Sequence, residues 1–501
     1  MKNGKKGKDA RGPGGYLTVY MALTLTVMIS LCLVLIQGVR RHTAAFEAEC
    51  VMDIGLDSVL AEYHRVLLER YGLLMVDTSY GTDYPSYYNT ERHLSEYLSR
   101  NFRYEDCLSF PFLYRDLLGL ELEDVQLLKI SLATDHEGRV FQRRAAECMR
   151  SRLGLELVDK LLGWMEVVEG YGLLEEDVEE QLDRVSEELR QYDGTERQIG
   201  EEEWIKVEIS DPTETVRTLR KEGILKWVVE DVGKLSETVI DPGQYISGRI
   251  AKGEVNHGNF PMQEELDPAE NIFLLEYFLD FAGRYGSPLE GSLLQYQVEY
   301  LLCGSSGDRE NLRRTANLLC GIRQAANVIY LLGDAAKRGE VEIAAAVLSG
   351  AVALPELQPV FETALILAWA YLESLYDVRT LLAGGRVELL KTDAGWHYSL
   401  ANIWSPPADG REEKGEGLCY EDYLRILLYV QSPDVLAMRF MDLMEMDIRL
   451  TPGNSHFRMD GCMDSLEANT EENGKYGRER KIRKRTENTE ENGKYGRERK
   501  I

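Results

Sequence analysis

The sequence predicts a predominantly helical α+β protein carried on one long apolar helix, and three observations lead there. Residues from Tyr16 to Val39 include no Asp, Glu, Lys or Arg. Most of the chain beyond them places apolar residues at helical spacing, with charged residues between. Only a few short stretches alternate apolar and polar residues as strands do. At 501 residues and 44% hydrophobic content the chain has the composition of a folded protein, with one large or two ordinary domains. Its 58 basic and 85 acidic residues give a formal charge of -27. Such a body repels phosphate backbones, which excludes nucleic acid as a partner of the main domain.

The apolar run comes first. As a helix, Tyr16 to Val39 spans about 36 Å at 1.5 Å per residue, against a hydrocarbon core of about 30 Å. Thr18, Thr24, Thr26 and Ser30 are compatible with that setting because a hydroxyl can bond back to the preceding turn. Lys2, Lys5, Lys6, Lys8 and Arg11 stand before the run, and Arg40 and Arg41 after it. The surplus on the amino side predicts a single-pass chain in the cell membrane, with residues 1–15 as a basic cytoplasmic leader and the bulk extracytoplasmic. A cleaved secretory signal is the competing reading. Its apolar core would run about 7–15 residues before an A-x-A-like site; here the core is longer, and the nearest small-residue cluster follows two arginines. The expectation is a membrane helix over 16–39, with the lipid bilayer as first partner.

Beyond Arg40 the helical pattern continues, and no proline interrupts it through Leu74. Met52, Leu56, Val59, Tyr63, Val66 and Leu67 form an apolar stripe, and Glu47, Glu49, Asp53, Asp57, Glu62 and Glu69 supply the polar face. The spacing predicts an amphipathic stem helix over 40–75. Gly55 is its weak point, at about 1 kcal/mol relative to alanine.

The stem resembles that of type IV pilins, and more closely that of the minor pseudopilins of tight-adherence (Flp-type) pilus systems. Those stems begin V-E-F-A-L after a glycine; the matching residues here are Val19, Tyr20, Met21, Ala22 and Leu23. The resemblance implies a prepilin-peptidase junction between Gly15 and Tyr16. Tyr20 stands where the family has a glutamate that neutralises a neighbour's terminal amine, and an uncharged phenol cannot do that.

The body, 76–465, reads mainly as helices, with a possible division into two subdomains. Glu137 to Gly172 and Leu173 to Gly194 have heavily charged faces and no sustained heptad, as in an exposed helical hairpin. Strand patterns fall at Val125 to Asp135 and Trp204 to Ser210, with a hairpin over Gly385 to Leu400 turning near Asp393-Ala394-Gly395. Together they predict a small β-sheet. In Tyr296 to Asp334 a helix ends near Cys303, a Gly-Ser loop follows, and Asp308 is placed to cap the next helix. Leu312, Ala316, Leu319, Ile322, Ala326 and Ile329 form that helix's buried face, while Arg323 and Asn327, one turn apart, are set to bond across to neighbours. Ala344 to Leu375 is apolar, but Pro355, Glu356, Pro359 and Glu362 divide it into a buried helix pair.

This text, together with Ser58 to Leu74, Tyr420 to Gln431 and Arg439 to Arg449, resembles uncharacterised single-pass proteins of Gram-positive bacteria that accompany tight-adherence pilus clusters. The likeness runs over about residues 14–465 and implies no activity. It does imply other pilus or membrane assembly proteins as partners.

Sequence motifs of catalysis are missing. The seven histidines share no metal-binding spacing, and HExxH, GxSxG, GxxxxGK[ST] and GxGxxG do not occur. His64 reads as a packed or surface residue. The eight cysteines show no CxxC, and helical spacing puts Cys303 and Cys320 too far apart for a disulfide. No catalytic, metal-binding or cofactor-binding residue is assigned, and the chain is read as a non-enzyme without a cofactor. From 466 a polar tail carries the segment NTEENGKYGRERKI twice, at Asn469 to Ile482 and Asn488 to Ile501, and is expected to be disordered. The function these readings imply is a membrane-anchored structural or accessory component of a tight-adherence pilus or related secretion system. The alternative class is a membrane-tethered cell-envelope enzyme or receptor.

Overall fold

A computed structural model describes residues 14–102, 120, 122–152, 155–174, 178–198, 204–261, 264–405 and 417–471. The leader charges Lys2, Lys5, Lys6, Lys8 and Arg11 and the tail from residue 472 lie outside them. The first elements are α1 (Gly14–Leu60), α2 (Arg65–Tyr71), β1 (Val76–Asp77), α3 (Tyr87–Phe102) and β2 (Asp124–Leu132). Next come α4 (Asp135–Arg150), α5 (Leu155–Gly170), α6 (Val178–Tyr192), β3 (Glu196–Gln198) and β4 (Trp204–Lys206). The helices α7 (Glu214–Glu222), α8 (Leu225–Val228), α9 (Ile246–Lys252), α10 (Pro268–Phe281) and α11 (Gln297–Cys303) follow. The chain continues with α12 (Asp308–Gly333), α13 (Ala335–Ala351), α14 (Gln358–Leu382), α15 (Tyr420–Tyr429), α16 (Pro433–Arg449) and β5 (Cys462–Glu471). The fold is predominantly helical with a small sheet of strand order β1-β5-β2, in which β1 runs antiparallel to β5. A separate antiparallel pair joins β3 to β4.

The chain divides into two compact units, one of residues 1–63, 86–130 and 465–501, the other of 64–85 and 131–464. In the first, α1 is a continuous helix of 47 residues, about 70 Å long at 1.5 Å per residue. Its hydroxyls bond back as expected: Thr24 Oγ1 donates to Tyr20 O (3.1 Å), Thr26 Oγ1 to Ala22 O (2.8 Å) and Ser30 Oγ to Val27 O (2.9 Å). Farther along, Val51, Met52, Leu56 and Val59 are buried, and so are Leu94 and Leu98 of α3. Gly55 is the seat of that packing, since a Cβ there would lie 2.6 Å from Leu98 Cδ2. The residue that sequence alone marks as weak lets two helices approach closely.

The stem predicted over 40–75 is not one helix. It stops at Leu60, and α2 starts separately at Arg65. His64 has extended backbone angles (φ -73, ψ 110) and its Nδ1 accepts the Leu67 N–H, so it acts as an N-cap. Gly72, at φ +69, closes α2.

The second unit holds a single large core. Phe141 of α4, Tyr277 and Phe278 of α10 and Phe440 of α16 meet there, with Phe278 and Phe440 stacked at 4.8 Å. α4 is therefore interior and no part of an exposed hairpin; Val140, Phe141, Ala145, Ala146 and Met149 are all buried. Its first turn is left-handed at His136, Glu137 and Gly138, and Asp135 holds that entrance by accepting the Leu132 and Gly258 N–H groups. Along the other part of this core α12 packs on α14, and α13 covers α14. α14 is buried throughout its middle, while α13 leaves Ile343 and Val347 exposed, so only one member of the expected helix pair is interior.

Three local expectations are corrected. Asp308 does not cap α12 with its side chain; Gly307 is the N-cap, and the Asp308 carboxylate instead accepts the N–H groups of Gln295 and Tyr296 and the Ser236 hydroxyl. Gly385 to Leu400 forms no hairpin. Asp393–Gly395 is a short 3-10 turn, and Val387 bridges to Leu418, because the carbonyls nearby are engaged by side chains described below. The ordered chain does not stop at 465: β5 continues to Glu471, and Lys129 Nζ pairs with Glu467 at 2.9 Å. Cys303 and Cys320 are separate thiols; Cys303 Sγ lies 3.4 Å from Thr315 Oγ1.

Candidate functional site

Two places in the described chain stand out, beside a further buried ionic network that joins Arg249 to Glu445 and Asp460. The first is α1. Tyr16 is 89% exposed and Tyr20 66%, and Val19, Met21, Ala22 and Leu23 are likewise exposed. Exposure continues through Ile36, so the most apolar stretch of the chain is left unburied by the described residues. Among the described residues α1 is the helix long and apolar enough to cross a membrane. The Gly15–Tyr16 junction lies in its first turn.

The second place is a buried charged centre between α12, α14 and the loop after α14. On α14, Glu373 and Asp377 stand one turn apart and point to one side, with side chains 0% and 1% exposed. Lys391 reaches in from the loop, itself 2% exposed, and its Nζ lies 2.6 Å from Glu373 Oε1 and 2.6 Å from Asp377 Oδ1. Its third proton goes to Gly395 O at 2.6 Å. From α12, Arg323 Nε donates to Asp377 Oδ2 (3.0 Å) and Asn327 Nδ2 donates to the same oxygen (3.2 Å). Arg323 Nη1 lies within hydrogen-bond distance of Glu388 O, Leu389 O and the Tyr423 hydroxyl, and its Nη2 donates to Asn327 Oδ1 (3.4 Å).

Electrostatics follow from that geometry. Two cations face two carboxylates, so the centre is neutral and each buried charge has a partner, as burial requires. Burial alone would raise the Glu373 pKa. The hydrogen bonds from His397 and Lys391 and the Tyr398 N–H overcome it and hold the carboxyl below its ordinary value. Arg323 behaves in the same way: burial would lower its pKa, but Tyr423 and Asp377 carry it above the usual range. Burial pushes the Tyr423 phenol up to about 12. His397 stacks on Tyr376 at 4.7 Å, with its Nδ1 3.5 Å from Glu373 Oε1.

A cavity of ≈ 170 Å³ opens over this centre, lined by Tyr376, Asp377, Thr380, Arg386, Lys391 and His397 among others. A larger one of ≈ 540 Å³ lies by the start of α12, between Leu225, Lys226, Thr238, Val239, Gly307 and Arg309. Several of its wall charges pair with one another, Glu310 with Arg313 at 2.7 Å and Lys226 with Glu222 at 2.9 Å. Among the described residues no three His, Cys, Asp or Glu side chains are grouped to hold a metal.

The sequence singled out Arg323 and Asn327 for cross-helix bonding, and both are in the centre. It missed Glu373, Asp377 and Lys391. A partial signal existed: two acids at i, i+4 within the mostly apolar Phe361–Leu382 call for a cation if buried, but Arg379 and Arg386 are nearer in sequence than Lys391, so the partner could not be chosen by spacing. The stem residues Gly15, Tyr16 and Val19 to Leu23 are far from this centre in sequence and take no part in it.

A family model described as "Family of unknown function (DUF5702)" matches residues 202–474, more than half of the chain, and the chain belongs to that family. The match includes the whole charged centre and excludes α1. Comparison with curated proteins and with solved structures returns no match.

Proposed function

We propose that this protein is a single-pass, membrane-anchored structural or accessory component of a cell-envelope assembly system, of the tight-adherence pilus type that its stem resembles. The basic leader stays in the cytoplasm and the acidic body faces outward. The observation that carries the reading is α1: a helix of 47 residues whose apolar stretch is wholly unburied. About 30 Å of such a helix fills a bilayer, and the remainder continues as a stalk that receives α3. Burial in lipid removes the large apolar surface that water would otherwise meet.

The competing class, a tethered enzyme or receptor, draws on the cavity beside Asp377, Lys391 and His397. That cavity, at ≈ 170 Å³, is smaller than the roughly 300–1,000 Å³ of ordinary ligand pockets; the ≈ 540 Å³ cavity by the start of α12 is within that range, but several of its charged side chains are paired with one another. The ionic groups of the smaller cavity also spend their bonds on each other, which favours a structural role. The test is fractionation. The full chain should stay with membranes through alkaline carbonate extraction, and protease added outside intact protoplasts should degrade the body. Recovery in the soluble fraction without detergent overturns the proposal. N-terminal sequencing of the membrane form then separates pilin-type maturation, starting at Tyr16, from an uncut anchor.

A further inference from the structure

We propose that Lys391 and Asp377 become joined by an intramolecular amide bond, formed by the protein itself with Glu373 as the proton-transferring group. The inference rests on the charged centre alone and is independent of the function proposed above. A lysine amine and a carboxyl condense when they are pressed together out of water, when a base can take protons from nitrogen, and when donors await the developing oxyanion. All three conditions meet here. Lys391 Nζ stands 2.6 Å from Asp377 Oδ1, and both side chains are at most 2% exposed. Glu373 touches the same nitrogen from the other side at 2.6 Å. The far oxygen, Asp377 Oδ2, already receives Arg323 Nε at 3.0 Å and Asn327 Nδ2 at 3.2 Å.

The steps balance without any other reactant. The Lys391 ammonium gives one proton to Asp377 Oδ1, leaving a neutral amine beside a carboxylic acid. The amine lone pair attacks Cγ, and the C=O electrons move onto Oδ2, where Arg323 and Asn327 hold the oxyanion. Glu373 takes a proton from the attacking nitrogen and returns it to the Oδ1 hydroxyl. The Cγ–Oδ1 bond breaks, the Cγ=Oδ2 bond re-forms, and one water leaves. Glu373 ends as the carboxylate it began, retained by the His397 and Tyr398 N–H groups. Arg323 and Glu373 remain as one cation and one anion, so the interior stays neutral. Asp377 and Lys391 both line the ≈ 170 Å³ cavity, which gives the departing water a place to go. The product ties the loop after α14 covalently to that helix and lowers the entropy of the unfolded chain, as a disulfide would, with no thiol involved.

The test is peptide mapping of the full chain, purified in detergent and digested with trypsin. The proposal expects a branched species in which residues 339–379 are joined to residues 387–411, lighter than the two peptides together by one water, with no cleavage after Lys391. Fragment spectra should place the junction between Asp377 and Lys391. Glu373→Gln should abolish the branched species in material whose circular dichroism matches wild type, and Lys391→Arg should do so as well. Recovery of the linear 387–391 peptide from folded wild-type protein, with no branched partner, overturns the proposal. So does a water loss confined to the 339–379 peptide, which would mark a cyclic imide instead. Because the wild-type map is decisive by itself, the inference stays testable even if Glu373→Gln fails to fold.

Discussion

α1 and α14 are both long apolar helices, yet they solve opposite problems. The apolar stretch of α1 has no charged residue and is buried by none of the described residues. α14 is almost wholly buried and carries Glu373 and Asp377 in its interior half. Lipid offers a charge no partner, so a lipid-facing helix must shed its charges. A protein interior does offer partners, so a core helix can keep charges where Arg323 and Lys391 meet them. Apolar length is thus a poor guide to environment; the presence and pairing of charge decides.

The sharpest way to break this contrast is to remove a partner from the core. Arg323→Met takes one cation from the centre, which leaves a net buried negative charge whether or not the amide has formed, and removes the guanidinium from the Glu388 and Leu389 carbonyls. Breaking such a buried pair costs about 3–5 kcal/mol, so the urea midpoint, followed by tryptophan fluorescence, should fall steeply. A shift of only a few tenths of a kcal/mol would mean that the centre is solvated. Next in size is the reverse experiment on α1. If α1 spans the membrane as proposed, Leu31→Lys puts a cation at mid-membrane at a cost of about 2.5–3.5 kcal/mol, and should move the chain toward the carbonate-soluble fraction while the body's urea midpoint stays put.

A third substitution tests the stretch of α1 that does pack on protein. Gly55→Val pushes a side chain into Leu98, whose Cδ2 would lie 2.6 Å from the new Cβ. Overpacking of this kind costs about 1–3 kcal/mol, and hydrogen exchange across α3 should speed up accordingly. Buried carboxyls without a full cationic partner supply the most graded effect, spread over several pH units. Burial raises Asp442 to about 7, and likewise Glu299 to about 7. Unfolded, such groups titrate near ~4. Between about 4 and 7 the folded chain therefore binds more protons than the unfolded chain, and these two groups make stability fall as pH rises. Each contributes a slope of at most about 1.4 kcal/mol per pH unit. Above pH 7 their contribution levels off. Asp442→Asn should flatten part of this dependence in urea titrations at several pH values; an unchanged slope would show that Asp442 is ionised at acid pH.

Legibility from sequence followed the range of the interactions involved. The apolar run, the helix opening near Asp308, the strand at Val125 and the buried face of α12 depend on local spacing, and all could be read. Asp308 and the Gly385–Leu400 stretch were misread for one reason. Their polar groups are claimed by residues far along the chain, Ser236 and the segment at 295–296 for the first, Arg323 and Glu373 for the second. The left-handed turn at His136 and Glu137 was invisible for a similar reason, because Asp135 bonds across to Gly258.

By itself the sequence determined that one end of this protein carries a membrane-length apolar helix and that the remainder is an acidic, mostly helical body. Periodicity and charge are local properties, and they act before any tertiary contact forms. Only the folded chain decided that Gly55 is a packing seat, that the stem helix stops at Leu60 and His64 opens α2, and that Lys391 lies between two acids on α14. Each of those depends on groups brought together across many residues, where the desolvation of buried charge leaves few arrangements that satisfy every partner.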